Sequence, residues 1–386
     1  MKKATRQHTK QHNSRLILKT IYVAGGISRA DIARDTGLTR ATVSTIVSEL
    51  IKDGLIGETG VGPSAGGKPP IYLSVLDDAR HIICLDLSKD PLQGALVNLR
   101  GKIVERIEMA LNGRSGTIAL DLVLDLVAQL RECTPKPVLG IGIGSPGLVD
   151  TQNGIIKKAV NLSWQDIPLK SLLEEKQDLP VYLANDSHMA ALAEYSFGSN
   201  DTNNLVLIKT GRGVGAGIVI NGQLYHGVGG NAGEIGHVTV DPHGAQCSCG
   251  NFGCLEAVAS VQAILKQAQA IPDQQWQSGK PSSWEAFCKA VHQDDPTAQQ
   301  LVTTAGEYIG IAVANLVGIL NIRDVVIAGA IVPLGHGLIT AVCQQMHRSV
   351  LPAVAEQTTV KFTSLGADLA LLGASALILN HQLGVI

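Results

Sequence analysis

The spacing of apolar residues over positions 14–56 is helical. Three segments with this spacing, 14–26, 28–37 and 38–56, are separated by glycine or by a polar turn, which predicts three short helices. Residues 55–75 then predict a strand, a glycine-rich tip and a second strand. The third helix has one apolar face, which is formed by Val43, Ile46, Val47 and Leu50.

The opposite face of the third helix carries small hydroxyl residues and one arginine. Such residues are poor core material, but they suit phosphate oxygens and base edges in a DNA major groove. The helices and the hairpin together predict a winged helix-turn-helix domain over residues 1–75. Aromatic residues make up 3% of the chain and none interleaves this surface, which disfavours single-strand binding by stacking. The candidate DNA-binding residues are Thr39, Arg40, Thr42, Ser44 and Thr45 on the helix, and Lys68 at the tip of the hairpin.

From residue 81 the pattern changes to that of a mixed α/β domain. Residues 81–111 predict three consecutive strands, followed by a helix at about 116–132 and an apolar strand at 137–145. The same order of elements returns later, in a meander at 204–227, a helix around 298–320 and a strand at 324–330. This repetition predicts a duplicated α/β lobe, and the cleft between two such copies is a usual place for a small-molecule site.

Length and charge support this division. A chain of 386 residues exceeds one ordinary core and predicts two or three domains. The first 80 residues carry 12 Lys and Arg against 7 Asp and Glu, whereas the remainder carries 19 against 26. A basic head on an acidic body favours a polyanion partner for the head alone. The sequence shows no apolar leader and no stretch of the roughly 18 to 20 apolar residues that a membrane span needs, so we expect a cytoplasmic protein.

Three cysteines lie close together in the segment CSCGNFGCLE, with the spacing C-x-C-x4-C. Cys247 and Cys249 are too near each other for an easy disulfide, and Cys254 would be left over. In a reducing compartment the seven cysteines of the chain are not a disulfide framework. A zinc site needs a fourth ligand, and on spacing alone either His237 or His243 could supply it. Three reduced structural cysteines are the alternative.

Several motifs, in this order, resemble those of the ROK family (repressors, open reading frames and kinases). GEIGHV followed by CSCGNFGCLE resembles the family pattern E-x-G-H and C-x-C-G-x2-G-C-x-E, and GIGIGSPGLVD, NLSW, ANDSHMAALAE and TGRGVGAGIVINGQLYHG resemble further family segments. The resemblance covers almost the whole chain. It implies two actin/hexokinase-like (ribonuclease H-like, ATPase-type) α/β lobes after the winged helix-turn-helix. The first lobe would span 81–190 and be completed by a C-terminal helix at 366–386, and the second, with the zinc module, would span 191–365.

The resemblance also implies two ligand sites. A structural Zn²⁺ ion would be held by His237, Cys247, Cys249 and Cys254. A sugar needs convergent carboxylate and amide groups, and Asn185 and Asp186 lie where a predicted strand meets the next helix, a usual place for site residues. ANDSHM stands where ENDANA is common in the family, a departure that concerns the identity of the sugar. The implied sugar-binding residues are Asn161, Asn185, Asp186, Glu234, His237 and Glu256.

Two functions are compatible with such a site. In a ROK kinase, Asp186 would deprotonate a sugar hydroxyl while ATP donates its γ-phosphoryl group. Family kinases carry an early D-x-G-G-T turn at the phosphates, but residues 86–90 here read Asp-Leu-Ser-Lys-Asp, and the adenosine-side Gly-Gly reads Gly329-Ala330. A second glycine loop, at 211–217, is retained. These losses and the DNA-binding head predict a repressor of carbohydrate-utilisation genes without enzyme activity, with a sugar kinase as the alternative.

We expect the repressor to bind operator DNA as a homodimer or a dimer of dimers, and a sugar to release it. Glucose, xylose, N-acetylglucosamine and β-glucosides are all compatible with the sequence as effectors. A DNA-binding regulator that senses no sugar, and binds a protein of the phosphotransferase system instead, is the third alternative.

Overall fold

The structure is a computed structural model that describes residues 6–62, 69–199 and 202–386. The chain forms two compact units. Unit 1 comprises Met1–Ala184 and Ala374–Ile386, and it contains the head, the first lobe and the C-terminal end of the chain. Unit 2 comprises Asn185–Gly373 and contains the second lobe.

The head has the predicted winged helix-turn-helix order. Ser28 caps the second helix by accepting the Asp31 N–H, and Thr39 caps the third by accepting the Thr42 N–H. Gly37 ends the second helix in the left-handed conformation that glycine favours. The three strands pair in the order β1-β3-β2. The elements are α1 (Arg6–Ala24), β1 (Ile27–Ser28), α2 (Arg29–Thr36), α3 (Arg40–Lys52), β2 (Ile56–Val61) and β3 (Ile71–Val75).

The first lobe is built on a five-stranded sheet with the order β11-β7-β4-β5-β6. Strands β4, β5 and β6 form the predicted antiparallel meander, and β7 pairs with β4 in parallel. A smaller three-stranded sheet has the order β10-β9-β8. The elements are β4 (His81–Asp86), β5 (Leu92–Asn98), β6 (Ile103–Met109), α4 (Gly116–Glu132), β7 (Val138–Ser145), β8 (Leu148–Asp150), β9 (Ile155–Ala159), β10 (Trp164–Ile167), α5 (Leu169–Gln177) and β11 (Val181–Asn185).

The second lobe repeats this arrangement in the sheet β14-β13-β12-β15-β16. Here β12 pairs antiparallel with β13 and parallel with β15, as β4 does with β5 and β7. The duplication predicted from the sequence is therefore confirmed. The elements are α6 (Asp186–Phe197), β12 (Leu205–Thr210), β13 (Val214–Ile220), β14 (Gln223–Leu224), α7 (Leu255–Ala259), α8 (Val261–Ala270), α9 (Trp284–His292), α10 (Pro296–Leu320), β15 (Asp324–Gly329), α11 (His336–Ser349), α12 (Pro352–Ala355), β16 (Thr359–Phe362) and α13 (Leu369–Ile378).

Among the helices of the described residues, α10 alone is long and apolar enough to span a membrane. Half of its most apolar stretch is buried, and it packs into the hydrophobic core of unit 2. A core helix of a soluble protein passes the same test of length and composition, so these properties alone assign no membrane segment.

Arginines fasten the head to the rest of unit 1. Arg80 donates to the carbonyl oxygen of Asp53, the C-cap residue of α3, at 2.6 Å. Arg100, in the turn between β5 and β6, donates to the carbonyl oxygen of Tyr22 near the end of α1 at 2.6 Å and lies 4.3 Å above the Tyr22 ring. Arg15 of α1 reaches the C-terminal segment. The last carbonyl oxygens of a helix have no partner within the helix and attract cations. Arg80 and Arg100 therefore bind α3 and α1 at their C-terminal ends, where a guanidinium group is bound most favourably.

Candidate functional site

A compact group of one histidine and three cysteines lies in unit 2. His237 ends a short 3-10 turn after Glu234, and the cysteines lie on the loop that leads into α7. Gly253 has a positive φ of 66°, and a side chain there would collide with the carbonyl oxygen of Asp241, so only glycine allows this loop to close. The ligand atoms of all four residues lie within 4.8 Å of one another.

Two separations within this group match those of a tetrahedral zinc site. The Cys247 Sγ lies 3.5 Å from the His237 Nδ1, and the Cys249 Sγ lies 3.7 Å from the Cys254 Sγ. In a tetrahedral zinc site with Zn–S bonds of about 2.3 Å and Zn–N bonds of about 2.0 Å, neighbouring ligand atoms lie about 3.5 to 3.8 Å apart. The group therefore has the donors and the spacing to bind a metal. The alternative ligand, His243, is exposed and is not part of the group.

The thiols of the group differ in their ease of ionisation. Burial and the neighbouring cysteines raise the pKa of Cys254 to about 12. A backbone hydrogen bond from Asn251 lowers the pKa of Cys249. A buried thiol of this kind becomes a thiolate at neutral pH only when a cation offsets the burial, and this is the chemistry that a metal ion supplies.

Two of the implied sugar-binding residues, Asn185 and Asp186, lie at the start of α6. Two others, Glu234 and Glu256, lie beside the cysteine group. Asn185 caps α6, and its Oδ1 accepts the Ser187 N–H at 2.8 Å. Asp186 is the first residue of that helix. Glu256 lies in the first turn of α7, and its Oε2 accepts the Val214 N–H at 3.2 Å. Glu234 directly precedes the turn that ends at His237.

The charges of Asp186, Glu256 and His237 act on the pKa of Glu234, so these side chains lie in one region of unit 2. Burial raises the pKa of Glu234; the neighbouring His237 lowers it, and the charges of Asp186 and Glu256 raise it. Three carboxylates in one region can accept hydrogen bonds from adjacent hydroxyl groups, as a polyol requires. Asn161 lies in unit 1, in the 3-10 turn between β9 and β10, and its part in a sugar site stays a prediction.

Sequence reasoning missed three side chains of this region. Lys209 of β12 forms an ion pair with Asp186. The sequence did contain a signal for it, because Lys209 is the one charged residue in the strand NLVLIKTG. Ser248 lies 3.3 Å from the Glu256 Oε1 and donates to it. His188, within the unusual segment ANDSHM, is buried and donates to the backbone of the loop before Glu234.

Residues 86–90, where the family resemblance places the phosphate turn, lie in unit 1 and form hydrogen bonds and an ion pair among themselves. The Asp86 Oδ1 accepts hydrogen bonds from the Ser88 N–H at 3.0 Å and the Ser88 hydroxyl at 2.6 Å. The Lys89 Nζ lies 3.3 Å from the Asp86 Oδ2 and also reaches the Gln93 side chain. Asp86 is therefore bound by Ser88 and Lys89, which stand where the family resemblance places the two glycines of the kinase turn.

The retained glycine loop serves the second lobe. Gly213 lets the Glu256 carboxylate approach the backbone, because a side chain there would lie 2.6 Å from the Glu256 Oε2. The next residue, Val214, gives that carboxylate its N–H. The loop thus has a structural reason for its glycine that is independent of phosphate binding.

The candidate DNA-binding face is formed by α3. Its apolar stripe is buried, whereas Thr39, Arg40, Ser44 and Thr45 are exposed and Thr42 is half-buried. The Thr39 and Thr42 hydroxyls lie 2.9 Å apart, so the first turn of α3 presents a joined pair of hydroxyls. Lys68 lies outside the described residues.

Comparisons with known proteins agree with this architecture. Residues 82–381 match the ROK family, and residues 11–56 match the winged helix-turn-helix DNA-binding family. The chain is 32% identical to the xylose repressor of Bacillus spizizenii (strain ATCC 23059 / NRRL B-14472 / W23), over 99% of both chains. It is 36% identical to a glucokinase of Halalkalibacterium halodurans, over 78% of this chain and 96% of that protein. The chain belongs to the ROK family.

A solved structure includes the head as well. The crystal structure of a ROK family transcriptional regulator, a homologue of the Escherichia coli MLC protein, superposes with a TM-score of 0.86. It is 31% identical to this chain and covers 98% of both. The glucokinase match covers 78% of this chain, whereas the regulator match takes in nearly all of it.

Proposed function

We propose that this protein is a sugar-responsive repressor that binds operator DNA through its head and regulates carbohydrate-utilisation genes. The observation that carries the proposal is that one chain contains both a winged helix-turn-helix head and a ROK body. The head presents an exposed face of hydroxyl residues and Arg40 on α3, and the body is that of a ROK protein with three candidate sugar-binding carboxylates. Such a helix face suits phosphate contacts and base edges in the major groove.

The sugar would be held chiefly by the carboxylates of Asp186, Glu234 and Glu256. Each can accept hydrogen bonds from sugar hydroxyls, and charge-assisted hydrogen bonds are among the stronger polar contacts. His237 would donate from its Nε2 while its Nδ1 faces the cysteines. Glucose, xylose and N-acetylglucosamine are the candidate effectors to be tested first, and β-glucosides are the further candidates. The xylose repressor and the glucokinase among the relatives support xylose and glucose.

The metal is proposed to be a structural Zn²⁺ ion bound by His237, Cys247, Cys249 and Cys254. A donor set of three thiolates and one imidazole at tetrahedral spacing leaves no open position for catalysis. The ion would join the turn after Glu234 to the loop that leads into α7, and so hold the candidate sugar-binding carboxylates of Glu234 and Glu256 in place.

The contacts of two carboxylates, Asp86 and Asp186, support a regulatory role rather than catalysis. Phosphoryl transfer depends on positioned phosphates and a free general base. Asp86 is occupied by Ser88 and Lys89, and Asp186 is paired with Lys209. A paired Asp186 can still accept a hydrogen bond from a sugar.

The second candidate function, an ATP-dependent sugar kinase, is favoured by the retained Asp186 and the glycine loop at 211–217. A coupled assay with Mg-ATP and each of the three sugars separates the two functions. We expect no turnover above background. A turnover near about 1 per second, the low end for kinases, would establish the kinase instead.

The proposal is tested with DNA that the protein itself selects. A duplex selected from a random library should be protected as two half-sites about one helical turn apart, or a multiple of it, because symmetric oligomers read pseudo-palindromic sites. A wider panel of sugars, which includes glucose, xylose, N-acetylglucosamine and β-glucosides, is then screened by thermal shift and added to the complex. Selection of no preferred sequence, or a preferred duplex that none of the sugars affects, would contradict the proposal.

The remaining partners are also proposals. We expect a homodimer or a dimer of dimers, because two heads are needed to read a pseudo-palindrome. A cytoplasmic location follows from a DNA partner and from reduced thiolate ligands. A protein of the phosphotransferase system is the alternative partner if no sugar affects operator binding.

A further inference from the structure

His188 lies in the first turn of α6, two residues after Asp186, and is buried. Its Nε2 lies 2.7 Å from the carbonyl oxygen of Ala232. Because a carbonyl oxygen only accepts, the Nε2 must carry the proton and donate. Burial lowers the pKa of His188, so the ring is neutral at pH 7 and its buried Nδ1 is unprotonated. The tautomer is thereby fixed by the hydrogen bond to Ala232.

Ala232 belongs to the loop that positions Glu234. The Ala232 N–H donates to the carbonyl oxygen of His226 at 3.0 Å, and the His226 ring meets the His188 ring edge-on at 5.8 Å between centroids. Gly233 accepts the Ala216 N–H of β13 at 2.7 Å, with a positive φ of 87°. The loop is therefore held by β13 on one side and by His188 on the other, immediately before Glu234.

The first turn of α6 is itself fixed against the same strand. Gly217 of β13 has no side chain, and one placed there would collide with the carbonyl oxygen of Ser187 and with Ala191. This close approach leaves α6 little freedom to shift. The hydrogen bond from His188 to Ala232 therefore links a rigid helix that begins with Asp186 to the loop that carries Glu234.

We propose that His188 is a positioning residue that sets the separation of Asp186 and Glu234, and thereby the preference of the site among sugars. This inference rests on the proposed sugar site. Sugars such as glucose and xylose differ in which hydroxyl groups they present, and hydrogen bonds weaken within a few tenths of an ångström of their best distance. Without the hydrogen bond from His188, the loop would position Glu234 less firmly. The site would then bind the preferred sugar less tightly and distinguish less between sugars.

Three variants of the full-length, zinc-loaded protein test the inference. In His188→Ala the donor is lost; in His188→Gln the amide Nε2 is as many bonds from the backbone as the imidazole Nε2 and can replace it; in His188→Asn the donor is one bond shorter. The matched control is His347→Ala, an exposed histidine on α11. Binding of D-glucose, D-xylose and N-acetyl-D-glucosamine is measured by calorimetry, with zinc content and melting temperature as controls for folding.

We expect His188→Ala and His188→Asn to bind the sugar preferred by the wild type about 10- to 100-fold more weakly, and to reduce the ratio of affinities between sugars. His188→Gln should stay within about threefold of the wild type and keep its preference. Rescue by Gln but not by Asn distinguishes a positioning hydrogen bond from simple filling of space. If His188→Ala does not fold, the comparison of Gln with Asn carries the test.

Two results would overturn the inference alone. One is unchanged sugar binding in His188→Ala, or in His188→Asn where Ala does not fold. The other is a folded, zinc-loaded His188→Gln that is as weak as the Asn variant. If the wild type binds none of the three sugars and no β-glucoside, the proposed sugar response fails and this inference fails with it. The two results above leave sugar binding by the wild type intact, so the two failures are distinguishable.

Discussion

Replacing Arg100 by alanine should separate the DNA-binding head from the sugar response. Arg100 lies in the turn between β5 and β6 of the first lobe and is 28% exposed. It donates to the carbonyl oxygen of Tyr22, covers the Tyr22 ring and pairs with Asp77 at 3.2 Å. A change in the first lobe can therefore reach α1 of the head through Arg100, whereas the contacts of Arg80 and Arg15 join the head to other parts of unit 1.

The magnitude follows from these contacts. A hydrogen bond from a charged donor contributes about 1.5 to 3 kcal/mol. The cation–π contact adds about 0.5 to 1 kcal/mol, whereas the exposed ion pair with Asp77 lies beyond the last strand of the head and is not counted. Arg100 therefore contributes about 2 to 4 kcal/mol to docking of the head. A sugar that changes operator affinity about 100-fold needs a coupling free energy of about 2.7 kcal/mol. The contribution of Arg100 to docking of the head is thus comparable with the coupling free energy that the sugar response requires.

The assay is fluorescence anisotropy with the selected operator duplex, with and without the sugar that gives the largest thermal shift. We expect Arg100→Ala to bind the duplex within about threefold of the wild type without sugar, because α3 is untouched, while the sugar effect falls below about tenfold. Arg114→Ala is the matched control, because Arg114 donates to carbonyl oxygens of its own turn. A full sugar effect in Arg100→Ala would refute the argument that this contact carries the signal.

Four further predictions follow. Cys254→Ser should lower zinc content by elemental analysis, and with it the melting temperature and sugar affinity, because Cys254 immediately precedes the helix that carries Glu256. Glu234→Ala should bind operator in anisotropy measurements but no longer respond to sugar. Arg40→Ala should reduce the ratio of operator to random-DNA affinity, which direct competition measures. The free energy of unfolding should fall as pH drops below about 6.5, by up to about 1.4 kcal/mol per pH unit for each of the two neighbouring histidines, His188 and His226.

The sign of the pH effect follows from burial. Burial lowers the pKa of both histidines in the folded protein, so the unfolded chain binds more protons in this range and gains stability as pH falls. Urea unfolding at several pH values measures the slope, and His188→Gln should make it shallower. An unchanged slope in that variant would show that His188 is not a source of the pH dependence.

Controls for the other variants come from exposed residues of the same types. Cys133→Ser alters an exposed cysteine outside the cluster and should leave zinc content unchanged. Glu285→Ala removes an exposed carboxylate on α9 and should leave the sugar response intact. Loss of zinc or of sugar response in these controls would mean that the corresponding effects are not specific.

Local rules were enough to predict the head from the sequence. The three helices and the hairpin occur in the predicted order, and the apolar stripe on α3 is buried as its spacing predicted. The duplicated lobe was also predictable, because the strand meander and the following helix repeat along the chain. These features depend on neighbours in sequence or on periodicity, which one sequence displays directly.

Contacts between distant positions could not be predicted in the same way. Spacing alone left His237 and His243 equal as fourth ligands, because only the folded loop shows which imidazole faces the cysteines. The pair of Asp186 with Lys209 joins a helix start to a strand whose register is set by the sheet. The contact of His188 with Ala232 spans 44 positions and depends on how closely α6 packs on β13.

Reciprocal binding is the most direct test of the central claim, that sugar and operator DNA bind to linked sites of one protein. The affinity of the wild type for D-glucose, D-xylose and N-acetyl-D-glucosamine is measured by calorimetry with and without a saturating amount of the selected duplex. Linkage requires operator DNA to weaken binding of the effective sugar by the same factor as that sugar weakens operator binding. We expect equal factors, near about 100-fold. A sugar that binds with the same affinity to free and to DNA-bound protein would contradict the account.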